Sequence, residues 1–156
     1  MTRLIALTAL IAASTGCVVY THDRNDAPAH DDEIIYVEPA PEINYTPIVL
    51  NGDASVYWDG YYGDDVWYFE AVVDDPNGVY DVVDVWADVY DEWRGGVWVE
   101  SFQLFPTEDP YLWYSDWLGS TTYLDPFYGG YTVDLVAYDV YDDYDWMTVT
   151  AYTYAF

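Results

Sequence analysis

Gly130-Tyr131-Thr132-Val133-Asp134-Leu135-Val136-Ala137-Tyr138-Asp139 is the stretch whose pattern decides the fold. Val133, Leu135 and Ala137 alternate with residues that include Asp134 and Tyr138. Successive side chains of a strand point to opposite faces, so such a run offers one face to a core and the other to water. A helix would instead repeat its apolar positions every three or four residues. Gly129-Gly130 in front marks a turn.

Outward from this run, the same period of two recurs. It predicts strands at 66–73, 79–90, 97–105, 131–140 and 146–154, all rich in Val, Tyr and Trp. Further strands are expected at 45–50 and 111–123, near the interruptions at Pro106 and Pro110. No stretch carries a helical period. Turns are explicit at Asp74-Asp75-Pro76-Asn77-Gly78 and Arg94-Gly95-Gly96. About seven antiparallel strands in one domain, residues 44–156, predict an all-β protein of the β-sandwich kind. On the third strand, Val83, Val85, Ala87 and Val89 are expected to face the core together with Val133, Leu135 and Ala137.

Val73-Asp74-Asp75-Pro76-Asn77-Gly78-Val79 resembles the B to C turn of bacterial immunoglobulin-like or fibronectin-type domains, and 130–139 resembles their F strand. The resemblance covers 44–156 and implies an immunoglobulin-like β-sandwich. It places Tyr131 at the family's tyrosine corner, and Val133 where some members carry a disulfide cysteine. This fold hosts unrelated roles, so the resemblance says little about activity.

The first residues have another character. Arg3 precedes the apolar run 4–13 and then Ser14-Thr15-Gly16-Cys17. The run is too short to span a bilayer and has the build of an export signal. Residues 1–16 resemble a bacterial lipoprotein signal peptide, although Ser14 stands where that family usually has an aliphatic residue. The resemblance implies cleavage before Cys17, acylation of Cys17 and a membrane partner through the lipid anchor. Val18, rather than Asp, at the next position implies the outer membrane of the bacterial envelope. An ordinary secretory signal that leaves Cys17 as a free thiol is the alternative. Residues 17–43 contain Pro28, Pro39, Pro41 and the run Asp31-Asp32-Glu33, and read as an acidic, disordered tether. His22 and His30 fall in it and read as solvated.

Cys17 is the sole cysteine, so no internal disulfide can hold the domain and packing must do so. Eight Trp, nineteen Tyr and five Phe supply the area for that packing. The formal net charge is -26, with no lysine, and loss of Arg3 with the signal makes it one unit more negative. Such a surface repels nucleic acid and attracts divalent cations or a basic partner; solubility, as in a salty habitat where screening lessens self-repulsion, is the alternative reading. The domain contains no histidine, lysine or thiol, which removes the usual nucleophile machinery and predicts a non-enzymatic protein. The echo Asp88-Val89-Tyr90-Asp91 and Asp139-Val140-Tyr141-Asp142 reads as composition.

Two candidate sites follow. If the two long turns emerge at one end, Asp74, Asp75 and Asn77 come near Asp142, Asp143 and Asp145, an oxygen-rich set suited to calcium. The alternative is a set of solvated turn residues. Secondly, the outer side of the sheet carries Asp84, Trp86, Asp88 and Tyr90 beside Asp134 and Tyr138, with Tyr152 and Tyr154 on the last strand. Flat aromatics among carboxylates suit a glycan or protein partner, and they also suit a plain aromatic-clad sheet. The expected function is an interaction or structural module, with carbohydrate binding as the alternative.

One prediction follows from the first seventeen residues. Expression of the full chain in a bacterium with a clickable palmitate analogue should label the wild type and leave Cys17→Ser unlabelled. Equal labelling of both removes the anchor.

Overall fold

A computed structural model describes residues 43–155. Cys17, His22, His30 and the expected signal and tether up to residue 42 lie outside the described residues. The alternating runs become seven strands: β1 (Ile48–Asp59), β2 (Asp64–Asp74), β3 (Val82–Asp91), β4 (Val97–Pro106), β5 (Leu112–Leu118), β6 (Tyr131–Asp139) and β7 (Tyr144–Thr150). Their order in the sheet is β1-β2-β5-β4-β3-β6-β7, with every neighbouring pair antiparallel. Three short 3-10 turns, at Val79–Asp81, Glu92–Arg94 and Gly119–Thr121, are the only helical pieces among the described residues. None is long and apolar enough to cross a membrane.

The sheet comes close to closing on itself. Beyond β7 the chain crosses to β1, where the Val56 N–H donates to the Tyr152 carbonyl at 3.0 Å and the Tyr152 N–H to the Ala54 carbonyl at 2.8 Å. The join between β4 and β5 is short, pairing only Phe105 with Tyr114 and Pro106 with Trp113. What unites the strands is therefore the side-chain interior. Ala54, Val56, Trp67, Phe69, Val73, Val85, Val89, Phe102, Leu104, Trp113, Val133 and Leu135 belong to one buried cluster drawn from β1 to β6. Burying each large side chain is worth roughly 1.5–3 kcal/mol against leaving it exposed.

Aromatic rings run through this interior in sequence. Phe102 stacks on Phe69 with centroids 4.8 Å apart, Phe69 lies parallel to Trp67 at 6.3 Å, and Trp67 meets the edge of Tyr131 at 5.9 Å. Tyr131 in turn meets Tyr128 at 4.9 Å. Tyr131 is 6% exposed, and its hydroxyl accepts the Asp125 backbone N–H at 3.1 Å. The residue expected to fasten a corner does so, six positions downstream of the turn it holds.

Several expectations shift: the third strand starts at Val82 rather than 79, after the 3-10 turn Val79–Asp81, and the fifth ends at Leu118 rather than 123, where the 3-10 turn Gly119–Thr121 begins. Val83 is 52% exposed rather than core, because a bulge between Val82 and Asp84 moves the register and buries Val82 instead, at 6%. The first strand runs over 48–59 rather than 45–50. Asn-Gly ordinarily ends a strand, yet a bulge between Val49 and Asn51 restores the pairing, and Gly52 lets β1 approach β6. A Cβ on Gly52 would lie 2.0 Å from Leu135 Cδ1 and 2.8 Å from the Glu70 carbonyl oxygen. The last strand begins at Tyr144 and ends at Thr150, so Tyr152 and Tyr154 leave it. Tyr152 pairs with Ser55, and the Tyr154 hydroxyl donates to Asp65 at 2.9 Å.

Tyr131→Phe keeps the ring stack and removes the acceptor for the Asp125 N–H, leaving a part-buried donor unpaired. Denaturant unfolding should show a loss of ~1 kcal/mol, with an unchanged far-UV spectrum.

Candidate functional site

The outer face of β3, β6 and β7, with the adjoining part of β4, is assembled in cross-strand rows. Asp84 lies beside Tyr138, which lies beside Tyr144. In the next row Gln103, Trp86, Val136 and Trp146 follow one another across four strands, and in the third Ser101, Asp88, Asp134 and Thr148 do so. Strand alternation produces this face, since Val85, Ala87 and Val89 between these positions are fully buried. A groove of about 470 Å3 opens here, lined by Val83, Asp84, Trp86, Asp88, Ser101, Tyr138 and Asp142.

The carboxylates are held by neutral donors. Asp84 accepts from Gln103 Nε2 at 2.9 Å, Asp88 from the Ser101 hydroxyl at 2.5 Å, and Asp134 from the Thr148 hydroxyl at 2.5 Å. Each partner fixes a rotamer and leaves further lone pairs open to a ligand. Trp86 is half-buried, whereas Trp146 and Tyr144 are exposed, with rings 6.1 Å apart. Tyr144 also stacks obliquely on Tyr138 at 5.6 Å. The Tyr90 hydroxyl is pushed above its usual pKa by burial first, then by Asp88 and Asp134. All these acids are acceptors only, so a ligand here must bring donors.

Of the six residues named for this face, the groove brings together Asp84, Trp86, Asp88 and Tyr138, while Asp134 stands beside Asp88 in its row and Tyr90 lies two positions further along β3. Tyr152 and Tyr154 do not belong to the groove. Ser101 lines the groove, and Gln103, Tyr144 and Trp146 stand on the same face in its cross-strand rows. The alternation of 144–150 carries that signal once the strand is started two residues earlier; the β4 partners depend on register, which sequence does not state.

The turn set is arranged differently from a shared ion site. The β2–β3 and β6–β7 turns do meet at one end, through the chain at 43–45. Asn77 Nδ2 donates to the Ile43 carbonyl at 2.9 Å and Asn77 Oδ1 accepts from the Tyr45 N–H at 2.7 Å. Asn44 Nδ2 donates to Asp139 at 2.7 Å and to Asp143 at 2.8 Å. Asp75 is 3% exposed and accepts from the Asn77 N–H, Asp74 accepts from the Asp75 N–H, and Asp145 accepts from the Val49 N–H. Asp142 takes a left-handed conformation, φ 65°, and turns toward the groove instead. Among the described residues no three carboxylate, histidine or cysteine side chains converge to hold a metal ion. Asp74, Asp75, Asn77, Asp142, Asp143 and Asp145 thus share an end of the domain without sharing a coordination centre.

Asp139, which the sequence did not single out, is the hub of this end. It is fully buried, and it accepts from Asn44, Tyr141 and Asp143. Burial by itself raises its carboxyl, but the Asn44 amide and the two backbone N–H groups outweigh that and hold it below the usual aspartate value. A second buried acid, Asp91, receives the Tyr128 hydroxyl at 2.5 Å and pairs with Arg94 at 3.3 Å. That hydrogen bond, with burial, pushes the Tyr128 hydroxyl up to about 12. Asp91 ends the first copy of the echoed tetrapeptide and Asp139 begins the second, so the echo has no structural counterpart.

No protein-family model, curated protein or solved structure matches this chain.

Asn44→Ala should cost about 2 kcal/mol at pH 7, because Asp139 and Asp143 then face each other without their shared donor. The folded carboxyl of Asp139 titrates below the unfolded one, so the unfolded chain binds more protons between the two values. The stabilisation is therefore present above the ordinary value of 3.8 and disappears as pH falls toward the folded one. Urea unfolding should show the difference between wild type and Asn44→Ala narrowing from pH 7 to pH 3.

Proposed function

We propose that this chain is a non-enzymatic lipoprotein of the bacterial cell envelope, anchored through Cys17, whose domain is an immunoglobulin-like β-sandwich serving as an interaction module. The groove on the β3-β6-β7 face is the observation that carries the binding role: preset carboxylates and half-exposed rings converge there, on rigid strands rather than on loops. The sandwich reading is supported by the Tyr131 to Asp125 corner and by the brevity of the β4–β5 join, which divides the strands into two groups facing across the aromatic interior. The lack of histidine, lysine and thiol in 44–156 supports a binding role over a catalytic one.

One arrangement favours a carbohydrate as the ligand. Trp86 and Trp146 stand on either side of Val136 in a single row, flanked by Asp84 and Asp88. Flat rings beside fixed acceptors match a sugar, whose C–H face stacks and whose hydroxyls donate.

Trp86→Ala truncates the one ring of this row that lines the groove, without touching the buried aromatic interior. On an array of neutral oligosaccharides the full chain should bind a defined subset, and Trp86→Ala should weaken that binding by at least about tenfold, the equivalent of 1.4 kcal/mol. If no glycan is retained, a photo-crosslinking residue in place of Tyr144 should instead trap a protein partner in intact cells, and one in place of Tyr80 should not. Failure of both arms removes the groove as a contact surface.

A further inference from the structure

The face built by β1, β2 and β5 carries a second hollow, of about 240 Å3, lined by Tyr57, Asp59, Tyr62, Val66, Asp116 and Leu118. Its floor is one cross-strand row, since Val66 pairs with Tyr57 on one side and with Leu118 on the other. Its rim comes from the turn between β1 and β2. There Asp59 Oδ1 accepts the N–H of Tyr61 at 2.7 Å and that of Tyr62 at 3.4 Å, and the Gly63 N–H donates to the Asp59 carbonyl at 2.8 Å. Gly63 has φ 64°, a conformation that closes the turn and that side-chain-bearing residues seldom adopt. The edge of Tyr61 lies against Tyr62 with centroids 5.1 Å apart, which steadies the ring at the rim. The hollow is thus a shaped cavity and not merely a place where acids gather.

Its electrostatics are uncompensated. Asp59 and Asp116 both line it, and Arg94, the single basic side chain among the described residues, is engaged with Asp91 elsewhere. The Asp116 carboxyl is raised by burial and then by the charge of Asp59. The Tyr57 hydroxyl is raised by burial and then by Asp116 and Asp59. Asp116 and Tyr57 thus both feel negative charge from the hollow's carboxylates and no positive one. An anion is excluded by that field. A bare metal ion is poorly served, because Val66, Leu118 and the tyrosine rings offer it no hard oxygen ligands beyond two carboxylates. An organic cation fits every part: tyrosine faces attract a cation, carboxylates neutralise it, and the valine and leucine floor covers its carbon atoms.

We propose that this hollow binds an alkylammonium group, held between the rings of Tyr57 and Tyr62 and the carboxylates of Asp59 and Asp116 over the Val66–Leu118 floor. It lies on strands other than those of the groove described above and does not depend on that groove's ligand. The same chemistry is carried by a free quaternary amine and by a lysine side chain of a basic partner.

Calorimetric titration of the full chain in detergent tests it, with choline, Nα-acetyl-lysine methylamide, the neutral choline isostere 3,3-dimethylbutan-1-ol and sodium chloride at matched ionic strength. At least one of the two ammonium probes should bind at one site, and the isostere and sodium should not. Preference for choline identifies a free quaternary amine as the source, and preference for the lysine derivative identifies a protein side chain. Asp116→Asn should weaken binding about tenfold or more, whereas Glu108→Gln, an exposed acid in the turn at the other end of β5, should leave it unchanged. Tyr57→Phe, which keeps the ring, should bind within about twofold of wild type, and Tyr57→Leu should not, since the leucine lacks the ring face that attracts the cation. Far-UV spectra of all variants verify the fold. Equal weakening by Glu108→Gln and Asp116→Asn would mean diffuse attraction to an acidic surface and would overturn the proposal. So would binding of the neutral isostere as tightly as choline, or retention of full affinity by Tyr57→Leu.

Discussion

The stack of Phe69 on Phe102 is the contact on which the rest of this domain depends. It bridges β2 and β4, two strands that are not neighbours in the sheet, and it sits where the short β4–β5 join leaves little backbone pairing to hold the two groups of strands together. No disulfide can take that role in 44–156, because the sole cysteine is Cys17. Through Trp67 the stack reaches Tyr131, and through the Tyr131 hydroxyl it reaches the turn at Asp125. Packing and corner are thereby one continuous structure. Offset and edge-on aromatic pairs of this kind add roughly 0.5–1.5 kcal/mol each beyond the area they bury.

A chain so acidic must also keep its carboxylates apart or give them partners, and with Arg94 as the one basic side chain of the domain it does so mostly with neutral donors. Backbone N–H groups, the Asn44 amide, the Gln103 amide and the hydroxyls of Ser101, Ser120, Thr148 and Tyr128 all serve. Hydrogen bonds to a charged acceptor are worth more than neutral ones, roughly 1.5–3 kcal/mol, so this arrangement stabilises as well as tolerates the charge. It also leaves the net negative field intact. Both outer faces consequently present acceptors and tyrosine or tryptophan rings, a combination that selects donors and cations and rejects anions.

The same logic separates the two faces. On the β3-β6-β7 face the acids are bound edge-on by amide and hydroxyl groups, and the groove is broad and open. On the β1-β2-β5 face Asp116 has no side-chain donor among the described residues, the hollow is smaller, and its walls are tyrosine and aliphatic. The first therefore suits the polyol proposed for it, and the second the ammonium proposed for it.

Period-two alternation was enough to find the strands from 66 onward, though not the ends of the third, fifth and last, and to place Val85, Ala87, Val89, Val133, Leu135 and Ala137 in the core, because burial of one face is a local property of a strand. It also placed Asp84, Trp86, Asp88, Tyr90, Asp134 and Tyr138 on one outer surface, and the resemblance of 130–139 to an F strand placed Tyr131 at a corner. The bulges at Val49/Asn51 and Val82/Asp84 were hidden, since a bulge is a relation between two strands and leaves no period in either. So were the entry of Ser101 into the groove, the hold of Gln103 on Asp84 and the hub at Asp139, which collects donors from positions 44, 141 and 143. Sequence alone determined which residues could face inward and how negative the surface is. Only the tertiary structure decided which carboxylates share a donor, which share a cavity and which face each other without one, because those are distances between segments that the chain brings together only by folding.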